Sequence, residues 1–161
     1  MCDNNLVILI GNPNVGKSSI FNRLTGDKQH TGNWTGKTDE CAEGKLKCNK
    51  NICIVDLPGI YTLCAANAEE ICSKNFLLQH KDALVLVVVD GNNIYKSLTL
   101  IEEVSNITSN VIICINQYKS AVKSGTKINI DKLKEILKIP IVTTEATDRS
   151  SLEILNNIIN I

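Results

Sequence analysis

The sequence predicts an α/β fold: a mostly parallel six-stranded sheet with one antiparallel edge strand and helices on both faces. Three observations carry this. Leu6–Ile10, Ala83–Val89 and Val111–Ile115 are short, uninterrupted aliphatic runs, the pattern of strands buried on both faces. Stretches with apolar residues at helical spacing alternate with them, as a parallel sheet with crossover helices requires. Two strand-like segments, 41–48 and 51–56, flank a tight polar turn and read as a hairpin, which supplies the antiparallel edge.

In chain order, the Leu6–Ile10 strand ends at Gly11. A helix follows from Lys17 to about Thr25, with Ile20, Phe21 and Leu24 on one face and Gly26 as its stop. Residues 26–40 are polar and irregular, and the hairpin comes next. Beyond Pro58-Gly59 the spacing predicts a helix from about Glu69 to Gln79, and after the Ala83–Val89 strand another through Leu98, Ile101 and Val104. Val111–Ile115 is followed by a helix over Lys127–Leu137 and a last short strand at Ile141–Thr143. Ser151 is the expected N-cap of the final helix, with Glu153 in its first turn.

Composition narrows the function classes. A chain of 161 residues suggests one domain able to bury a core, and aromatic residues are only 4%, so that core is aliphatic. Lys+Arg and Asp+Glu are 17 each, a neutral balance that argues against a nucleic-acid binder. The seven Cys show no regular framework, and Met1 is followed by Cys-Asp-Asn-Asn rather than a basic and apolar run. Reduced thiols are the expectation, although Cys48 and Cys53 flank the hairpin turn. The Ala83–Val89 run is far short of the roughly 20 residues a membrane helix needs.

Gly11-Asn12-Pro13-Asn14-Val15-Gly16-Lys17-Ser18 matches GxxxxGK[ST] in full and lies between a buried strand and a helix start. Asn12, Pro13, Asn14, Val15 and Gly16 form a loop whose amides can turn toward phosphate oxygens. Lys17, Ser18 and Ser19 open the helix, where the dipole favours an anion. Lys17 brings a point charge to the terminal phosphates, and the Ser18 hydroxyl is placed to ligate Mg²⁺. Asp56, at the end of the second hairpin strand, can hold that Mg²⁺ through a water, and Gly59 offers an N–H to the terminal phosphate. Between them lies the 27–40 loop. Thr38 is its candidate second Mg²⁺ ligand by position, with Thr31 and Thr35 as competitors.

GNPNVGKSSIFNRLTG, TGNWTGKT and VDLPGIYTL together resemble the first three nucleotide-binding segments of the N-terminal G domain of FeoB, the bacterial ferrous-iron transport protein. The resemblance covers nearly the whole chain and implies a Ras-like P-loop GTPase fold, GTP/GDP and Mg²⁺. It makes residues 1–161 a single G domain, with the phosphate loop at 11–18, switch I at about 27–40 and switch II at about 56–68. The helical spacer and membrane domain of such a protein are absent from these residues. By resemblance, Gly36, Lys37 and Thr38 border the nucleotide, and Lys17, Asn14, Thr38 and Gly59 serve hydrolysis. The family also implies K⁺ beside the phosphates, held by Asn14 and the backbone carbonyls of Asn33 and Trp34, where it does the work of an arginine finger.

Two departures from the pattern stand out. Ile60 follows Asp-Leu-Pro-Gly where many GTPases carry a water-orienting Gln, so intrinsic turnover is expected to be slow. Asn116-Gln117-Tyr118-Lys119 occupies the place of the guanine-reading NxxD segment, with Lys119 where the Asp belongs. A carboxylate accepts from guanine N1–H and the 2-amino group, each bond worth roughly 1.5–3 kcal/mol. Lys has only donors. The last base-binding segment is Thr144-Glu145-Ala146-Thr147, with an N–H of Ala146 or Thr147 toward the guanine O6.

The expected function is a slow GTPase domain on the cytoplasmic face of the bacterial inner membrane, soluble by itself, regulating a FeoB-like iron transporter. Its partners are nucleotide and the rest of that transporter, with self-association admitted and nucleic acid excluded. The competing reading is a nucleotide-binding module with relaxed base preference (GTP or ATP) and little hydrolysis.

Overall fold

The computed structural model describes residues 5–26, 41–64, 66–145 and 149–159. Strands β1 (Leu6–Gly11), β2 (Ala42–Lys45), β3 (Cys53–Asp56), β4 (Leu84–Asp90), β5 (Val111–Asn116) and β6 (Ile141–Thr143) form one sheet in the order β2-β3-β1-β4-β5-β6. Among the described residues only the β2–β3 pairing is antiparallel, and β2 is the last strand on that side of the sheet. The helices are α1 (Lys17–Thr25), α2 (Ala68–Gln79), α3 (Leu98–Ser105), α4 (Tyr118–Lys123), α5 (Ile130–Leu137) and α6 (Arg149–Ile159).

Alternation along the strands divides the core. Ile8, Ile10, Val85, Val87, Ile113 and Ile115 point to one face, against Phe76 and Leu77 of α2, Leu100, Ile101 and Val104 of α3, and Leu133 of α5. Val7, Leu9, Leu86, Val88, Ile112 and Cys114 point to the other, against Ile20, Phe21 and Leu24 of α1 and Leu155 and Ile159 of α6. Burying both faces of the sheet is the main stabilising term, at roughly 25 cal/mol per Å² of apolar area.

Several boundaries differ from the sequence expectation, each for a local reason. The hairpin strands are shorter, because pairing runs only from Ala42↔Asp56 to Lys45↔Cys53. Beyond that, the Leu46 N–H bonds to the Ile52 carbonyl and the Lys47 N–H to the Leu24 carbonyl, so both apolar turn residues pack inward. Helix α5 starts at Ile130 rather than Lys127, where Asn129 Oδ1 accepts from the Lys132 N–H at 2.9 Å. A 3₁₀ turn over Ile94–Ser97 leads into α3, and α4 is an additional short helix. Helix α6 begins at Arg149, so Ser151 is not its N-cap; its hydroxyl bonds to Glu145 instead.

Cys48 and Cys53 do not form a disulfide with each other. Burial, then Glu43, pushes the Cys53 thiol up to about 12. Among the described residues no helix is long and apolar enough to cross a membrane.

Candidate nucleotide-binding site

Every sequence-predicted site residue that the structure describes lies at or beyond the carboxyl end of β1, β3 or β5, the end where open α/β sheets bind ligands. Gly11 closes β1 so tightly against β4 that a Cβ there would lie 2.2 Å from the Val88 carbonyl oxygen. The chain then turns through Asn14 at φ 65° and Gly16 at φ 90° into α1. Gly16 offers no side-chain cap, and the first helical bond runs from the Ile20 N–H to the Gly16 carbonyl. The N–H groups at 17–19 therefore have no partner within the helix, which suits an anion.

The side chains in this loop divide by role. Val15 packs into the core while its carbonyl accepts from Asn116, and Pro13 lies under Gly59, where a Cβ would come within 3.0 Å of Pro13 Cα. Asn12 Nδ2 donates to the Lys96 carbonyl at 3.1 Å, and its buried Oδ1 accepts no bond among the described residues. Asn14, Ser18 and Ser19 are exposed.

Lys17 is 8% exposed. Burial pulls its pKa below the ordinary lysine value, and the Asp56 carboxylate opposes that shift. The Ser18 hydroxyl donates to Asp56 Oδ2 at 3.1 Å. A hydroxyl and a buried carboxylate this close, beside a helix N-terminus, are a fitting oxygen donor set for a small hard cation such as Mg²⁺. The next residues are tied to β1: the Leu57 N–H bonds to the Leu9 carbonyl and the Ile60 N–H to the Gly11 carbonyl. Ile60 is 2% exposed, so its side chain belongs to the core and not to the reaction space.

Glu103 on α3 belongs to no sequence motif. Its Oε1 accepts from the Thr62 hydroxyl at 2.7 Å and the Cys64 thiol at 3.2 Å, and its Oε2 accepts from the Leu63 N–H at 2.6 Å. One carboxylate thus holds three consecutive residues that follow Asp-Leu-Pro-Gly-Ile. At the head of α2, Asn67 Oδ1 caps the Glu70 N–H and Glu70 reaches back to the Ala66 N–H, each at 2.8 Å.

At the far end of the sheet, Asn116 is buried beneath the phosphate loop. Its Nδ2 donates to the Val15 carbonyl at 2.9 Å, and its Oδ1 accepts from the Thr144 hydroxyl at 3.4 Å. Gln117 turns in the left-handed region at φ 57°, and Lys119 is exposed on α4. Asn33, Trp34, Gly36, Lys37 and Thr38, with Thr31 and Thr35, lie outside the described residues, as do Ala146 and Thr147.

A strand, a Gly-framed loop, a buried Lys at a helix N-terminus and a carboxylate on the adjacent strand define a P-loop nucleotide-binding protein of the GTPase class. Residues 5–159 match the family model described as ferrous iron transport protein B. The chain is 35% identical over 151 residues to the Fe(2+) transporter FeoB of Staphylococcus aureus (strain MSSA476), which covers 93% of this chain and 23% of the relative. It is 36% identical over 153 residues to that of Helicobacter pylori, covering 92% and 24%. The chain therefore spans about a quarter of the length of these curated relatives.

Among solved structures, the G domain of the T. maritima FeoB iron transporter matches with a TM-score of 0.85 and 38% identity, covering 96% of each chain. An S. thermophilus NFeoB variant bound to GDP and AlF₄⁻ matches with a TM-score of 0.79 and 36% identity, over 95% of this chain and 61% of that one. The chain belongs to the FeoB family and corresponds to its N-terminal G domain.

Proposed function

We propose that this domain binds GTP and GDP with Mg²⁺, hydrolyses GTP slowly, and regulates ferrous-iron passage through the membrane part of a FeoB-like transporter, from the cytoplasmic face. One observation carries the reading: the Ser18 hydroxyl stands 3.1 Å from Asp56 Oδ2, beside buried Lys17 and at the uncapped N-terminus of α1. The residues at 12–19 then cradle the phosphates, and Ser18, Asp56 and Thr38 hold Mg²⁺, which when bound neutralises phosphate charge. Gly59 meets the terminal phosphate. Gly36, Lys37 and Thr38 border it from switch I, while Asn116, Gln117 and the Ala146-Thr147 segment line the base.

Slow turnover follows from Ile60, which has no group to orient water and is committed to the core. K⁺ at Asn14 and the Asn33 and Trp34 carbonyls supplies charge compensation in place of an arginine finger. Support for Asn14 is its exposure at a left-handed turn of the phosphate loop. Single-turnover GTP hydrolysis in matched K⁺ and Na⁺ buffers tests this part: faster turnover in K⁺ is expected, and equal rates would overturn it.

Lys119 favours a second reading, in which the domain binds purine nucleotides loosely, ATP included, with little hydrolysis. Donor-only Lys119 stands exposed where a guanine-reading acceptor is expected. Competition of GDP and ADP for the purified chain separates the two readings.

A further inference from the structure

Lys119 leaves the base end of the proposed site without the acceptor that guanine needs, and the fold offers another carboxylate there. The Ser18–Asp56 pair fixes the cation end of a nucleotide on the β3 side of β1. Strands β4, β5 and β6 lie on the opposite side, so a base carried by phosphates on the loop extends over the ends of β5 and β6. These two strands run parallel with Ile115 opposite Thr143, and the Thr144 N–H bonds to the Ile115 carbonyl at 2.8 Å. The Thr144 hydroxyl reaches Asn116 Oδ1, and the Tyr118 N–H bonds to the Thr144 carbonyl at 3.3 Å.

Glu145 is the next residue. Its backbone is held on both sides by one hydroxyl of α6: the Glu145 N–H donates to Ser151 Oγ at 3.1 Å, and that hydroxyl donates to the Glu145 carbonyl at 3.0 Å. Its carboxylate has one oxygen, Oε2, enclosed yet accepting no hydrogen bond among the described residues. A buried acceptor without a donor is costly, and at a ligand site it is a recognition group whose donor comes with the ligand.

We propose that Glu145 is the guanine-reading acceptor of this domain, taking N1–H and the 2-amino group in place of the carboxylate that Lys119 replaces. This rests on the nucleotide reading above. Two adjacent donors on the base face two oxygens on one carboxylate, a charge-assisted bidentate match. Adenine presents an acceptor at N1 and is rejected; inosine lacks the 2-amino group and binds more weakly.

The test is competition of GDP, IDP, XDP and ADP against mant-GDP on the purified chain with Mg²⁺. The unmodified chain should prefer GDP over each of the others. Glu145→Gln should lower GDP affinity roughly 10- to 100-fold and raise that for XDP, whose C2 carbonyl can accept from the amide. Glu145→Ala should lower GDP affinity without the XDP gain. Adding Lys119→Asp to Glu145→Gln should restore GDP binding, a rescue that a merely structural role of Glu145 does not predict. Thermal unfolding of the ligand-free variants checks that they fold.

An unchanged order of preference in Glu145→Gln overturns the assignment. So does equal binding of all four diphosphates by the unmodified chain, while the phosphate-loop reading survives that result. Failure of the unmodified chain to bind any of them overturns both.

Discussion

The side-chain amide of Asn116 donates to the main-chain carbonyl of Val15 at 2.9 Å, joining the end of β5 to the phosphate loop 101 residues earlier in the chain. Gly16 is pressed against the same amide: a Cβ there would lie 2.3 Å from Asn116 Nδ2, at a φ of +90° that disfavours any side chain. The end of β5 and the loop that follows β1 are thereby one mechanical unit.

Asn116→Ala should destabilise the ligand-free chain by about 1–3 kcal/mol, since a buried carbonyl loses its donor. Gly16→Ala should also destabilise, and should cost less in the Asn116→Ala background, where the steric conflict is gone and only the strain of φ remains. Urea unfolding of the two single variants and the double variant measures this coupling. Additive costs would mean that the contact is energetically idle.

Glu103 should make the segment after Gly59 sensitive to acid. Partial burial works against its ionised form, but the Thr62 hydroxyl, the Leu63 N–H, the Cys64 thiol and Lys74 outweigh it and hold the carboxyl below its usual 4.5. A depressed folded value means the contribution is complete above the unfolded pKa and is lost as pH falls through the folded one. Glu103→Gln should therefore lower stability at pH 7 and flatten its dependence on pH below about 4.5. Thermal midpoints between pH 3 and 7 test this, and parallel curves for the variant and the unmodified chain would contradict it.

The thiols should separate sharply in reactivity. Burial pushes Cys114 up to about 12, and Cys53 is raised to a similar value by burial and Glu43. Cys48 and Cys64 are exposed. Iodoacetamide at pH 8, read by peptide mass spectrometry, should label Cys48 and Cys64 well before Cys53 and Cys114. Early labelling of Cys114 would show that the β5–β6 end opens on that timescale.

Contiguity decided what could be read from the sequence. The aliphatic strands announce themselves, and Gly11–Ser18 carries its whole chemistry within eight neighbouring residues. Helix α4 did not, because six residues with only Ala121 buried have no usable period. Leu46 and Ile52 read as strand because both are apolar, yet they are buried by a turn folded onto α1. Glu103 stands in no sequence motif, because its partners lie about forty residues upstream. Ser151 carries a good capping side chain, but tertiary placement gave its hydroxyl to Glu145.

Nucleotide binding at the Gly11–Ser18 loop is tested most directly by calorimetric titration of the isolated chain with GDP, with and without Mg²⁺. Saturable one-to-one binding that weakens when Mg²⁺ is chelated is expected. Lys17→Ala should remove most of the affinity, as loss of a charge-assisted phosphate contact costs roughly 1.5–3 kcal/mol. A folded chain that takes up no GDP, or binds it equally well without the Lys17 ammonium, would rule out nucleotide binding at the Gly11–Ser18 loop.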